Sequence, residues 1–183
     1  TADYSGAANA INVDLLGNTV GDDGDGATDI ISNIENVIGS VNNDTIAGDN
    51  QINVLTGGTG NDTLTGHGGN DTLDGGIGTD TADYSAAAAG IVVDLSVDAA
   101  SDDGDGGNDT LTSIENVTGS LNNDSITGDG IANFIFAEDG DDTIFASGGA
   151  DTIDGGDDSD TIDYSGLAGA TAIDVQLDRS TDA

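Results

Sequence analysis

The 183-residue sequence contains no cysteine, proline, methionine or tryptophan, and its single basic residue, Arg179, stands beside 36 acidic ones. Without cysteine, neither a disulfide framework nor a thiolate metal site can form. The formal net charge of -35 repels phosphate backbones and anionic lipids, so nucleic-acid binding and membrane attachment are poor hypotheses. No apolar run approaches the ~20 residues of a membrane span. Cations are the partners that this composition favours.

Low aromatic content and high net charge are typical of disordered chains, but an internal repeat argues against disorder here. The segment Thr-Ala-Asp-Tyr-Ser at residues 1–5 recurs at 81–85, and a variant of it lies at 161–165. We therefore divide the chain into a first unit at 1–80, a second unit at 81–160 and the start of a third unit at 161–183. Because the chain begins at Thr1 and has no methionine, we expect it to be part of a longer protein.

A shorter period of nine residues lies inside each unit, over residues 39–83 and 119–163. The clearest copy is Gly-Gly-Thr-Gly-Asn-Asp-Thr-Leu-Thr at 57–65. Position six of each copy is Asp or Asn, and position eight is apolar. The sixth-position residues are Asp44, Asn53, Asp62, Asp71 and Asp80 in the first unit and Asp124, Asn133, Asp142, Asp151 and Asp160 in the second. Weaker copies at 24–32 and 104–112 add Asp29 and Asp109.

This pattern resembles the repeats-in-toxin (RTX) nonapeptide Gly-Gly-x-Gly-x-Asp-x-apolar-x, a calcium-binding repeat. The segments 32–37 and 113–117 also resemble those that link RTX blocks in large secreted bacterial proteins. The resemblance implies an all-β fold, a right-handed parallel β-roll or β-helix-like solenoid. It also implies export by a type I secretion system, with the chain unfolded in low cytosolic calcium and folded outside the cell.

The nine-residue period can be divided into a six-residue turn and a three-residue strand. Because side chains alternate along a strand, only the eighth residue points inward, and two copies make one coil of 18 residues. We therefore expect Ile46, Leu64 and Ala82 to line one sheet and Leu55 and Leu73 to line the other. Stacked coils place the sixth-position carboxylates about 4.8 Å apart, where they repel each other unless a cation neutralises them.

Calcium fits such turns because it accepts six to eight oxygen ligands in flexible geometry, whereas magnesium demands a tight octahedron. Glycines at positions one, two and four permit positive φ values, which would turn backbone carbonyls toward the ion. We expect several Ca²⁺ ions per unit, and folding that depends on them. The predicted glycine positions of these sites are Gly39, Gly57, Gly60, Gly66, Gly75, Gly119 and Gly155.

Several features lie outside the nonapeptides. Two acidic loops either hold extra calcium or are exposed acidic turns, and they contain Asp22, Asp23 and Asp25 in the first unit and Asp102, Asp103 and Asp105 in the second. The segments 11–15, 91–95 and 172–175 predict longer strands. We expect the three tyrosines to pack where one block follows another, at Tyr4, Tyr84 and Tyr164.

Three phenylalanines distinguish the second unit from the first. Phe134, Phe136 and Phe145 occupy positions seven or nine, which face outward, so we expect them to form one surface patch. The patch either docks another chain or a neighbouring segment of the array, or is covered by the strand near Ile173. The single histidine, His67, is expected in solvent at position two of its turn.

The sequence favours a non-catalytic, calcium-stabilised array from an extracellular bacterial protein, such as a surface fibre, adhesin stalk or surface layer in which copies associate. No His-Glu-x-x-His, Gly-x-Ser-x-Gly or Cys/His motif is present, so zinc-protease, serine-hydrolase and thiol chemistry lack their residues. The alternative is a calcium-binding accessory domain of a secreted protease, lipase or epimerase. Ice binding is a weaker hypothesis, because only residues 59–61 show the required turn pattern.

Overall fold

A computed structural model describes residues 1–167, and the predicted strand at 172–175 with Ile173 lies outside them. The described chain consists of short β-strands and one 3₁₀ turn at Leu95–Val97. No helix in this range is long and apolar enough to cross a membrane. The strands of the first unit are β1 (Ala2–Asp3), β2 (Asn12–Asp14), β3 (Thr19–Asp22), β4 (Asp29–Ile30), β5 (Asn36–Ile38), β6 (Thr45–Ala47), β7 (Val54–Thr59), β8 (Thr63–Thr65) and β9 (Thr72–Ile77). Those that follow are β10 (Thr81–Asp83), β11 (Val92–Asp94), β12 (Ala99–Asp102), β13 (Asp109–Thr112), β14 (Asn116–Thr118), β15 (Ser125–Thr127), β16 (Phe134–Phe136), β17 (Thr143–Phe145), β18 (Thr152–Asp154) and β19 (Thr161–Asp163).

The strands form two long, mostly parallel sheets, which confirms the predicted β-roll. One sheet has the strand order β1-β5-β7-β9-β13-β12-β11-β15-β17-β19, and we call it the ten-stranded sheet. The nine-stranded sheet has the order β18-β16-β14-β10-β8-β6-β2-β3-β4. Within a block, each strand pairs with the strand one coil later, as Ile46 does with Leu64 and Leu55 with Leu73.

The core between the sheets is one side chain thick on each side. As predicted, Ile46, Leu64 and Ala82 lie in the nine-stranded sheet, and Leu55 and Leu73 lie in the ten-stranded sheet. All five are completely buried. Their neighbours at positions seven and nine are half-buried or exposed, because a three-residue strand turns only its middle side chain inward.

Each unit also contains an antiparallel meander that the sequence analysis did not predict. Strands β2, β3 and β4 pair antiparallel in the first unit, and β11, β12 and β13 do so in the second. The prediction of longer strands at 11–15 and 91–95 was wrong, because β2 and β11 have three residues each. The chain turns directly after them, where Asp14 accepts a hydrogen bond from the amide of Gly17 and Asp94 from that of Ser96.

Corresponding strands of the two units lie in opposite sheets. Strands β6 and β8 belong to the nine-stranded sheet, whereas their counterparts 80 residues later, β15 and β17, belong to the ten-stranded sheet. The same exchange holds for every other pair of corresponding strands in the described chain. It arises because the chain crosses between the sheets an odd number of times in each unit.

The two units join without a break in the core. Leu73 of the first unit pairs with Leu111 across β9 and β13, and Ala82 pairs with Val117 across β10 and β14. As predicted, Tyr84 packs at this joint, where it is 4% exposed and its hydroxyl donates to Asp109 Oδ2 at 3.2 Å. The two units therefore form one continuous roll.

Candidate metal sites

The structure brings the predicted sixth-position residues together into two ladders, one along each sheet. In each ladder, one carboxylate oxygen accepts a hydrogen bond from the backbone amide of the sixth-position residue 18 residues earlier. The distance from Asp44 N to Asp62 Oδ1 is 2.8 Å, and that from Asn53 N to Asp71 Oδ1 is also 2.8 Å. Asp80, Asp142, Asp151 and Asp160 accept the corresponding bonds at 2.8 to 3.1 Å. Each carboxylate thus ties two successive turns together.

The second oxygen of several ladder carboxylates is buried without a hydrogen-bond donor among the described residues. This holds for Oδ2 of Asp62, Asp71, Asp80 and Asp142. Burial away from water is the main reason why the pKa of Asp62 and of Asp142 is raised to about 6 and that of Asp71 to about 7. Because a buried oxygen without a partner costs free energy, these positions require positive charge from outside the protein.

Glycine is required in the turns for two different reasons. Gly58 and Gly60, at positions two and four, have φ values of 114° and 131°, which favour glycine. Position-one glycines have no positive φ, so this part of the prediction was wrong. They provide space instead, since a Cβ on Gly57 would overlap Asp62 Oδ2 and lie 2.7 Å from the carbonyl oxygen of Gly75. The same crowding by the sixth-position carboxylate occurs at Gly39, Gly66, Gly75, Gly119 and Gly155.

The first layer of each block is satisfied by the protein itself. Asp44 accepts hydrogen bonds from the amide and hydroxyl of Ser40 and from the amide of Ile11. Asp124 has the same three partners in Ser120 and Ile91. The sequence analysis missed these serines, although each occupies position two of its turn, where glycine is usual. They reduce the need for a cation at the first layer.

The two asparagines also find their partners within the protein. The side-chain amide of Asn53 donates to the carbonyl oxygen of Glu35 at 3.0 Å, and its Oδ1 accepts from Asp49 N at 2.7 Å. Asn133 makes the equivalent bonds to Glu115 and Asp129. Among the predicted ligands, the asparagines therefore have the least capacity left for a metal.

The predicted residues outside the blocks have different environments in the two units. Asp109 is buried and continues a ladder, since its Oδ1 accepts from Asp71 N at 3.0 Å. Its counterpart Asp29 is exposed on β4 and faces no second turn in the described chain. In both acidic loops, aspartate oxygens accept amide hydrogen bonds from their own loop. These aspartates are Asp22 and Asp23 in the first unit and Asp102 and Asp103 in the second. The exposed Asp25 and Asp105 follow them.

The predicted phenylalanine patch does not form. Phe134 and Phe136 lie on β16 of the nine-stranded sheet, whereas Phe145 lies on β17 of the ten-stranded sheet. The three rings face outward from different sheets because consecutive nonapeptides alternate between them. Phe145 lines a groove with Leu167. His67 is half-buried rather than in open solvent, with a φ of 60°.

Side chains alone do not complete a metal site in this structure. Within residues 1–167, no group of three or more histidine, aspartate or glutamate side chains is arranged to hold an ion. Backbone carbonyl oxygens must therefore supply the remaining ligands. The glycine turns bring such oxygens close to the ladders, as the carbonyl of Gly75 beside Gly57 and Asp62 shows.

Comparison with known protein families agrees with this geometry. The family described as the RTX calcium-binding nonapeptide repeat, in four copies, matches residues 48–82 and 127–162. The chain carries RTX calcium-binding repeats. These RTX segments contain all four ladder aspartates with an unpartnered buried oxygen, and RTX repeats are typical of secreted bacterial proteins. No curated protein matches the chain.

Proposed function

We propose that the chain is a non-catalytic element of an extracellular structural or adhesive array, and that it folds when it binds calcium. The observation that carries this proposal is the row of buried ladder carboxylates whose second oxygen has no protein donor among the described residues. Several of these carboxylates occupy successive layers of a thin core, so the metal-free roll is destabilised by desolvation and by like-charge repulsion.

Calcium answers both problems at once. It binds carboxylate and carbonyl oxygens without strict geometry, and these are the groups that the RTX turns bring together. Because the site does not exist in the unfolded chain, the free energy of binding becomes free energy of folding. Low cytosolic calcium would keep the chain unfolded for export by a type I secretion system, and extracellular calcium would then fold it.

The joint between the units favours an array. The core passes from Leu73 to Leu111, and the ladder passes from Asp71 to Asp109. A roll that continues through its joints transmits tension and resists bending, as a fibre, adhesin stalk or surface layer requires. The sequence on both sides of this segment in the parent protein tests this role. Further 80-residue units support it, whereas an adjoining catalytic domain would indicate an accessory domain of a secreted enzyme.

Calcium titration followed by circular dichroism tests the folding proposal. We expect a coil spectrum in chelator, a cooperative change to a β spectrum on addition of calcium, and reversal by excess chelator. Magnesium at the same concentration is the control and should produce much less β structure. A β spectrum that persists in excess chelator would refute calcium-dependent folding.

A further inference from the structure

The joint between the units contains a cluster of buried carboxylates that extends beyond the RTX segments. The turn at 66–71 of the first unit lies over the acidic loop at 102–109 of the second, and Asp71 N donates to Asp109 Oδ1 across a separation of 38 residues. Asp71, Asp103 and Asp109 are only 1 to 3% exposed. Oδ2 of both Asp71 and Asp103 is buried and has no hydrogen-bond donor among the described residues.

The carboxylate oxygens approach one another around two glycines. The position that a Cβ would take on Gly66 is 2.7 Å from Asp71 Oδ2 and 3.3 Å from Asp109 Oδ2, so oxygens of both units meet there. A Cβ on Gly107 would lie 2.5 Å from Asp103 Oδ2 and would overlap the carbonyl oxygen of Gly69. The joint thus concentrates three carboxylates and one backbone carbonyl in a space from which glycine excludes side chains.

No basic side chain balances this negative charge. The only lysine or arginine of the chain is Arg179, which lies outside the described residues. The charge of Asp103 adds to the effect of burial on its neighbours, and the pKa is raised to about 7 for Asp71 and to about 6 for Asp109. The one polar side chain that points at the cluster, Tyr84, donates its hydroxyl to Asp109 Oδ2. The cluster therefore lacks a cation.

We propose that the joint binds an oxygen-liganded divalent cation of the calcium type, held by Asp71, Asp103 and Asp109 together with the Gly69 carbonyl oxygen. The carbonyl is essential, because side chains alone form no site in the described chain. Asp103 and Asp109 lie outside the two RTX segments, so this site is additional to the RTX turns. The inference rests on the proposed calcium binding and assigns to one cation the task of fastening two units together.

The first unit shows what the site requires. Asp23, Asp29 and Tyr4 correspond to Asp103, Asp109 and Tyr84, but no preceding turn covers them in the described chain, and all three are more exposed. Ala27 replaces Gly107, and its Cβ would fill the space that the Gly69 carbonyl occupies at the joint. The acidic loop binds the cation only where an RTX turn lies over it, which gives each variant a matched control.

Counting bound calcium by native mass spectrometry tests the proposal. The full chain with Asp103→Asn should bind one ion fewer than the parent chain, whereas Asp23→Asn should bind the same number. Circular dichroism in saturating calcium checks that both variants fold. Equal ion counts for the two variants, with both folded, would overturn the joint site. A parent chain that binds no calcium would instead refute the proposed function.

Terbium luminescence provides a second test that does not require Asp103→Asn to fold. Tb³⁺ replaces calcium at oxygen sites, and its emission is enhanced by energy transfer from a tyrosine beside it. The chain has three tyrosines and no tryptophan. Tyr84→Phe should remove most of the tyrosine-excited emission of the Tb³⁺-loaded chain, whereas Tyr4→Phe should retain it. Emission that survives Tyr84→Phe would place no ion at the joint.

Discussion

The side-chain carboxylate of Glu115 accepts a hydrogen bond from the backbone amide of Asp80 at 2.8 Å, although the two residues are 35 apart in sequence. In the preceding layers of this ladder, the same role belongs to an aspartate 18 residues further on, as for Asp62 and Asp44. At the joint, the linking segment replaces the turn, and the longer side chain of glutamate reaches the amide. The ladder therefore passes from one unit to the next without an unpaired amide at Asp80.

Replacement of Glu115 by alanine should weaken the joint. The amide of Asp80 would lose its partner in a buried layer, which we expect to lower the free energy of unfolding by about 1–3 kcal/mol. Glu35→Ala is the matched control, because Glu35 is the exposed counterpart in the first unit, and it should change stability by less than about 0.5 kcal/mol. Urea unfolding in saturating calcium measures both. Equal effects of the two substitutions would contradict the role of Glu115.

The turn glycines should not tolerate alanine. Gly60→Ala would place a Cβ 2.5 Å from the carbonyl oxygen of Asn42 at a φ of 131°, so we expect a loss of more than about 1 kcal/mol. Gly130 has no atom within 4 Å of its Cβ position and no positive φ, so Gly130→Ala should be neutral. The calcium concentration at the folding midpoint reports the difference. It should rise for Gly60→Ala alone, and a rise of the same size for Gly130→Ala would be inconsistent with the turn geometry.

Truncation of the thin core should be costly. Leu64 is completely buried, and its replacement by alanine should cost about 2–5 kcal/mol. Ile52 is a large aliphatic residue that is 67% exposed, so Ile52→Ala should cost less than about 0.5 kcal/mol. Thermal unfolding in calcium separates the two variants. A small effect of Leu64→Ala would mean that the row of eighth-position residues does not form the core.

Acid should partly replace calcium. The pKa of Asp62, Asp71 and Asp142 is raised from 3.8 to between about 6 and about 7 in the folded chain, mainly by burial. A group whose pKa is raised on folding contributes stability that is complete below the unfolded pKa and is lost as the pH rises through the folded pKa. We therefore expect the calcium-free chain to gain β structure as the pH falls from about 7 to about 4.

Circular dichroism in chelator across this pH range measures the effect. A chain with Asp62→Asn and Asp71→Asn should show a weaker pH dependence, because two of the groups that must take up protons on folding are already neutral. Asp25→Asn, which alters an exposed carboxylate, is the control and should leave the profile unchanged. A calcium-free chain that remains a coil at both pH values would contradict the prediction.

The nine-residue period was sufficient to predict the two sheets, the inward-facing residues and the ladders. Leu64 and Asp62 each occupy the predicted place, because a short strand after a fixed turn leaves the chain few alternatives. The period could not predict what happens where it is interrupted. The linking segment places Asp109 next to Asp71 through an antiparallel meander, and its long-range pairing leaves no local signal in the sequence.

Other differences come from contacts between layers. The serines that satisfy Asp44 and Asp124 were visible only as departures from glycine, and their function depends on the side chain four residues later. The conserved spacing of Glu35 and Glu115 inside similar linking segments was a signal that could have identified Glu115. The separation of Phe134 from Phe145 follows from the alternation of nonapeptides between the sheets, which the period itself implies.

The exchange of sheets between consecutive units relates them by a half-turn about the long axis of the roll. Residues 80 positions apart consequently point in opposite directions, as the outward-facing Thr56 of the ten-stranded sheet and Phe136 of the nine-stranded sheet do. The spatial repeat is therefore two units rather than one. In a long array built this way, any contact residue present in every unit would appear alternately on the left and right flanks. Such a ribbon could be gripped from both sides, and it could bridge two neighbours rather than bind only one.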